Sequence, residues 1–445
     1  LIADRAFNKF REMQTEQGME AKEFTDAKNE LTKRRQALED ELNRYLASEY
    51  GIDPKNITNR KTYESRFNNW QASHKPFHWF IEFYGIIKNG GFDVIIGNPP
   101  YVEYSKVRSD YTIKSRHYIT ESTNNLYSLI VERSTNLFKK IGSLGLILPL
   151  SAFCTQRMVP LIQLVKEVDA SKWISHFGWR PSKLFEGVNI PLSILFIKAG
   201  PQLINTTTFI KWYSEYRPAL FSNIGYVAAN DYIFFPHVIP KIGFPIELSI
   251  LSEVFSNEHS IAAYKNNHGM TGEKLFYRNT GGLYWRIFTD FQPFFSQDER
   301  QMTSSTESTI EFPDKVLLSM IIGILNSNLY WFFYVLFSSF HHVNAPDILE
   351  FPIDLEKIAP KDKEALIDAA HRLMEDMKLK SRIRQRIHKG GHISKMQTFY
   401  PSLSKELNDE IDLILKNHYN FSDKEHDYIV NYDIKYRMAA EMEDE

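Results

Sequence analysis

The spacing of apolar and polar positions changes several times along the chain. Between residues 20 and 50, Phe24, Ala27, Leu31, Leu38, Leu42 and Tyr45 recur at helical spacing with charges between them. Gly51 and Pro54 end that pattern, so residues 1–75 read as a helical segment or hairpin packed on a neighbour. Lys33, Arg34 and Arg35 are too few to mark a nucleic-acid helix. Residues 55–90 are polar, then aromatic, and close in a turn at Asn89-Gly90-Gly91. Apolar runs then alternate with amphipathic stretches. Phe92 to Ile96 reads as a buried strand, and 122–139 as a helix with Leu129, Ile130, Leu137 and Phe138 at helical spacing. Gly142 to Pro149 reads as a strand, 159–168 as a helix, and 173–179 and 190–200 as further strands. Strand, helix, strand, helix, strand predicts an α/β sheet with helices on its faces.

After about Pro201 the rhythm is lost. Residues 201–310 give short strand candidates among turns, such as TTTFIKWYS and GGLYWRIFTDF. That shift places a domain boundary near 205, with residues 76–204 before it and a mixed α+β domain, 205–355, after it. Residues 317–337 form an apolar run of membrane-spanning length. Asn326, Ser327 and Asn328 sit in its middle without a basic flank, which favours a buried helix pair over a span. Residues 340–353 read as a loop closing on a short strand. Residues 356–445 read as a helical C-terminal region whose first helix turns basic over KLKSRIRQRIHKGG, 378–391. Leu379, Ile383 and Ile387 lie four apart there, so one narrow face packs while Lys380, Arg384 and Arg386 point outward, either solvated beside the acids Glu375 and Asp376 or against a polyanion such as double-stranded DNA.

The totals narrow the class without choosing a chemistry. A hydrophobic fraction of 43% with 24% charged residues describes a folded chain, not a disordered one. A net charge of −2 gives no global basic signature, although a basic cleft offset by acid elsewhere would look the same. Cys154, the single cysteine, excludes an internal disulfide framework and fits a reducing cytoplasm. His341-His342 lacks a cysteine or well-spaced carboxylates nearby, so no metal is expected. The first residue is not methionine, which leads us to expect a part of a longer protein.

The chemistry concentrates in FDVIIGNPPYV, 92–102. Pro99 and Pro100 have no backbone donor and cannot continue the strand. Asn98 therefore stands at the carboxyl lip of a strand, where open α/β sheets bind ligands. Its side chain offers an acceptor, the Pro99 carbonyl a second, and Tyr101 a flat face. That set suits a planar ring with an exocyclic amine. The Asn98 oxygen and the Pro99 carbonyl each accept one amine hydrogen, which aims the lone pair at an electrophile. A rigid turn would also explain Asn-Pro-Pro-Tyr, but the apolar strand immediately before it favours a site.

FDVIIGNPPYV resembles the catalytic motif of amino-directed DNA methyltransferases of the N6-adenine class. GGFDVIIGNPPYV is close to the wording of the fused, type IIG-like restriction–modification proteins. NNLYSLIVERSTNLFKKIGSLGLILP, 124–149, is similar to the helix and strand that follow the motif there. KLFEGVNIPLSILFIKAG, 183–200, resembles a later motif whose aromatic lies against a flipped base, which implies Phe185 as a second stacking face beside Tyr101. GILNSNLYWFFYVLF with LEFPI, 323–353, resembles the closing part of target-recognition domains. The resemblance spans residues 78–200 and, more loosely, 315–355. It implies a partial Rossmann-like methyltransferase sheet followed by a target-recognition domain and C-terminal helices. It also implies S-adenosylmethionine as methyl donor, with Mg2+ only if an upstream nuclease domain exists.

One expected part is missing. The family holds the donor with a Gly-rich turn before the catalytic motif, yet before Gly91 only Gly18, Gly51, Gly85 and Gly90 occur, none in such a turn. NTGGLYW, 279–285, and KGGH, 389–392, do not follow a buried strand and open a helix. Asn98 and Pro100 would then reach only the edge of a donor pocket, and this piece alone would be inactive. Two other classes stay open: a DNA-recognition module without chemistry, and an N-methyltransferase acting on RNA or protein. The recognition-like segment after 205 favours DNA, with Lys211, Arg217, Lys265, Lys274, Arg278 and Arg286 as available phosphate contacts.

Overall fold

A computed structural model describes residues 12, 21–57, 59–109, 112, 117–266, 271–280 and 285–439. The glycines of NTGGLYW lie outside the described residues. In chain order come helices α1 (Ala21–Glu49) and α2 (Arg60–His74), short helical turns at Trp79–Glu82 and Tyr84–Lys88, and strand β1 (Phe92–Gly97). Then follow α3 (Leu126–Leu137), β2 (Phe138–Pro149), α4 (Val159–Glu167), β3 (Ser171–Phe177), β4 (Leu192–Lys198), β5 (Ile204–Ile210) and β6 (Val227–Ala228). These six strands make one sheet in the order β1-β2-β4-β3-β5-β6. The α/β alternation read from the sequence is present.

The chain divides into two compact units. One comprises Leu1–Leu148, Gln163–Lys172 and Ile194–Gln202; the other comprises Pro149–Ile162, Trp173–Ser193 and Leu203–Glu445. In the first unit α1 and α2 pack through Ala47, Phe67 and Trp70. Tyr45, placed on that face by its spacing, is instead exposed. Trp79 and Phe83 meet Phe92 edge-on, which seats the start of β1. β1 runs parallel to β2 with Ile96 opposite Gly145 and Gly97 opposite Leu146. The register slips between Phe92 and Val94. Gly142 permits the slip, because a Cβ there would lie 2.9 Å from the carbonyls of Phe92 and Asp93. Gly91, at φ +109, would place a Cβ 2.3 Å from the Leu137 carbonyl.

The second unit holds α5 (Pro245–Val254), β7 (Glu273–Arg278), β8 (Phe288–Thr289), β9 (Phe295–Gln297), β10 (Arg300–Gln301) and β11 (Glu307–Phe312). It continues with α6 (Lys315–Asn326), α7 (Asn328–Phe337), α8 (Ala345–Leu349), α9 (Pro360–Lys380), β12 (Arg382–Ile387), β13 (Ile393–Thr398), α10 (Lys405–Tyr419), α11 (Asp423–Val430) and α12 (Ile434–Ala439). The apolar run is two helices bent by 67°, and all of α7 is buried. No single helix among the described residues is long and apolar enough to cross a membrane. The polar triplet makes the bend. Asn326 closes on the β8 backbone, accepting from Phe288 N at 3.2 Å and donating to Phe288 O at 2.9 Å. The Ser327 hydroxyl caps α7 by accepting from Tyr330 N at 3.0 Å. Asp412 accepts from Asn328 N and Leu329 N, both at 3.0 Å. Each side chain of the triplet therefore has a partner, and the flanking aromatics contribute about 1.5–3 kcal/mol apiece by burial.

Two expectations fail in this unit. The short strand expected at the close of 340–353 is an isolated bridge between Ser260 and Pro352, preceded by the short helix α8. The basic helix expected over 378–391 does not exist. α9 stops at Lys380, and β12 and β13 form an antiparallel hairpin around Gly390 and Gly391, at φ +105 and +85. Residues four apart share a face in a strand as well as in a helix, so the spacing of Leu379, Ile383 and Ile387 was ambiguous. They do not pack: Leu379 is 83% exposed and Ile387 70%. The hairpin belongs to a four-stranded sheet in the order β10-β9-β13-β12, so the C-terminal region is not wholly helical.

Candidate functional site

β1 delivers Asn98, Pro99, Pro100 and Tyr101 to the carboxyl end of the parallel β1–β2 pair. Pro99 is buried, while Asn98 and Pro100 are exposed. The Asn98 carboxamide has no hydrogen-bond partner among the described residues, so its oxygen and amide hydrogens are available to a ligand. Tyr101 is half-buried, and its hydroxyl donates to the Ile147 carbonyl near the end of β2 at 3.2 Å. Burial pushes that phenol up to about 12, so it stays a neutral donor. Its ring meets Tyr127 of α3 edge-on at 6.4 Å.

The loop beyond the lip is clamped from both sides. Leu126 N donates to Val102 O at 3.0 Å, and Tyr104 N to Asn124 O at 2.9 Å. Asn124, at φ 55, makes the turn into α3. The buried Glu132 carboxylate accepts from Ile119 N, Thr120 N and the Thr120 hydroxyl at 3.0, 2.9 and 2.7 Å. Such charge-assisted bonds are about twice as strong as neutral ones, and they fix the approach to the lip. Ile147 and Glu132 are supports that the sequence reading missed, because neither residue type nor spacing announces a backbone acceptor or a loop anchor.

β1 is an edge strand. Val94 is 65% and Ile96 83% exposed, so two apolar side chains of this strand face outward without a covering layer among the described residues. Among the described residues no glycine-rich turn joins a strand to a helix, and Gly51 and Gly90 follow helices.

Phe185 lies in the second unit, on the 178–191 loop, and is 41% exposed. The loop is fixed by Arg217, which donates to Lys183 O at 3.0 Å and Leu184 O at 2.7 Å, and by Ser182 N, which donates to Trp212 O at 3.1 Å. Arg217 therefore holds that loop rather than standing free for phosphate. Two further cations of that set are interior. Lys211 is ion-paired to Asp433, and Arg286 donates to the Tyr334 hydroxyl at 2.8 Å. Lys265, Lys274 and Arg278 remain exposed. In the basic segment, Lys380 is bound to Asp376 at 2.6 Å and to Leu403 O at 2.7 Å, and Arg384 donates to the Tyr400 hydroxyl at 3.0 Å. Arg386 is exposed.

Residues 20–185 match the family described as Eco57I restriction-modification methylase. A protein of Methanocaldococcus jannaschii, named for a type II restriction enzyme and methyltransferase, is 34% identical over 127 residues. That stretch is 28% of this chain and 10% of the relative, so the match spans a tenth of the relative's length. Among solved structures, the type IIL restriction-modification enzyme MmeI in complex with DNA is similar at TM-score 0.42 and 11% identity, over 82% of this chain and 59% of that one. The type IIG restriction endonuclease BpuSI is similar at 0.26 and 10%, over 77% and 53%. The family match and the relative bear out the resemblance to fused restriction–modification methyltransferases.

Proposed function

We propose that this chain carries the catalytic lip and DNA-recognition part of a restriction–modification methyltransferase that modifies adenine N6. The observation that carries this is the open Asn98 carboxamide on a stiff Pro-Pro lip, beside a tyrosine ring whose hydroxyl is held by the neighbouring strand. In this reading the adenine leaves the stack, at a cost of a few kcal/mol. Asn98 Oδ1 and the Pro99 carbonyl accept the two amine hydrogens and aim the nitrogen lone pair. Tyr101 stacks on the base, recovering about 1–3 kcal/mol. The amine proton leaves late, to water, so no strong general base is required.

S-adenosylmethionine would supply the electrophilic methyl group. The described residues do not fit it by themselves. The exposed Val94 and Ile96 on the edge strand support assigning the donor pocket to a segment outside these residues, which makes the isolated chain inactive. Residues 205–355 are proposed as the target-recognition region, reading base edges while basic residues hold phosphate. A recognition module without chemistry is the second reading, favoured by the missing glycine-rich turn.

The two readings separate in the longer parent protein. Asn98→Ala should lower methyl transfer at least about a hundredfold while duplex binding stays within a few-fold. Undiminished transfer by Asn98→Ala, or no transfer by the unaltered parent, rejects the catalytic reading.

A further inference from the structure

We infer that one face of the β10-β9-β13-β12 sheet is a seat for the phosphate backbone of duplex DNA. The register fixes which residues share that face. Arg382 pairs with Thr398, Arg384 with Met396 and Arg386 with Ser394. Ser394 in turn pairs with Gln297, and Gln297 with Arg300. Cross-strand partners project to the same side of a sheet. Arg386, Ser394, Gln297 and Arg300 therefore form one row across four strands, and Arg382, Arg384 and Arg386 form a second row along the edge strand. Arg278 joins them, with its Nη1 3.8 Å from Met396 Sδ.

Five arginines thus share a surface on which the register places no carboxylate. Arg300, Arg382 and Arg386 are exposed and form no ion pair among the described residues. The carboxylate nearest in sequence to Arg300 apart from the exposed Glu299, that of Asp298, is already bound by His392 at 2.8 Å and by Ile393 N at 2.9 Å. Tyr400 stiffens the edge row, with the Arg382 and Arg384 guanidinium carbons 5.5 and 5.6 Å from its ring centre. Like charges held this close without acid repel one another, and a polyanion relieves that cost. At about 3.3 Å per residue the edge row is about 13 Å long. It covers the axial rise of about four phosphates on one DNA strand. The strand fold, rather than a helix, is what brings Arg300 and Arg278 beside the C-terminal arginines.

This inference rests on the DNA reading above and adds where the backbone sits. The test measures duplex affinity of the full chain by fluorescence anisotropy across a series of salt concentrations. A variant with Arg300→Ala, Arg382→Ala and Arg386→Ala should lose affinity for all duplexes alike. The slope of log affinity against log salt should fall by about 0.9 per contact, close to three for the three arginines. The same positions changed to Lys should keep the slope, and Arg386→Glu alone should lower it by one or more. Unchanged affinity and slope in the alanine variant, with a melting curve like the parent's, overturn the seat while leaving the methyltransferase reading standing. Salt-dependent binding that needs these arginines, in a longer parent protein that shows no Asn98-dependent methylation, upholds the seat and removes the catalytic reading.

Discussion

The Tyr101 hydroxyl donates to the Ile147 carbonyl across 3.2 Å, joining the Asn-Pro-Pro-Tyr lip to the end of the adjacent strand. Tyr101→Phe keeps the ring and removes one hydrogen bond, which contributes about 0.5–1.5 kcal/mol. Its kcat/KM for methyl transfer should fall no more than about tenfold. Tyr101→Ala also removes the stacking face and should fall at least a further tenfold. Equal losses in the two variants would show that the ring does not touch the base.

Gly91→Ala should disturb the site without touching it. The residue sits at φ +109, with the Leu137 carbonyl 2.3 Å from any added Cβ. Strain and clash together should cost about 2–3 kcal/mol. The melting temperature should fall, with methylation falling more steeply than duplex binding. A variant as stable as the parent would mean the β1 approach is not constrained there.

Three carboxyls, of Glu247 and Asp412 in the interior and of the partly buried Asp347, make the second unit sensitive to pH. Burial holds Glu247 up at about 7, against the opposing pull of Gly243 N, the Tyr428 hydroxyl and Phe244 N. Burial likewise holds Asp347 and Asp412 up at about 6. A raised folded pKa means that the folded state binds the proton more tightly. The stabilisation is complete below the unfolded value near pH 4.3 and is lost as pH rises through about 7. Parent stability should fall between pH 5 and 8 relative to Glu247→Gln, by up to about 3 kcal/mol. Parallel stability curves in urea titrations across that window would contradict this.

A recognition swap should follow the core rather than the sequence boundary at 355. Phe332, Tyr334, Phe351, Ile411, Leu415 and Tyr432 belong to one core cluster, and Asp412 caps α7. An exchange of residues 205–355 with a relative's segment should give an insoluble or unfolded protein. An exchange of 203–439 should fold and methylate the donor's sequence. Retention of the original target by the longer chimera would place recognition elsewhere.

The site and the interior were not equally legible. Asn98, Pro99, Pro100 and Tyr101 are contiguous, so a short stretch of sequence states their relation. The polar triplet at 326–328 was also readable, because polar residues inside an apolar run must find partners. Lys211 and Arg286 were not readable, since a buried cation and a surface one look alike until Asp433 and Tyr334 are placed beside them. The hairpin was missed because a four-residue spacing fits two periods. The deciding signal was Gly390-Gly391, which a hairpin turn requires and a continuing helix penalises by about 1 kcal/mol per glycine.

The most direct test of the central claim identifies the modified atom. Duplex DNA treated with the longer parent protein and S-adenosylmethionine would be digested to nucleosides and read by mass spectrometry. N6-methyladenine is the expected product, absent after treatment with Asn98→Ala. Methylation at cytosine, or N6-methyladenine at undiminished levels with Asn98→Ala, would contradict the claim.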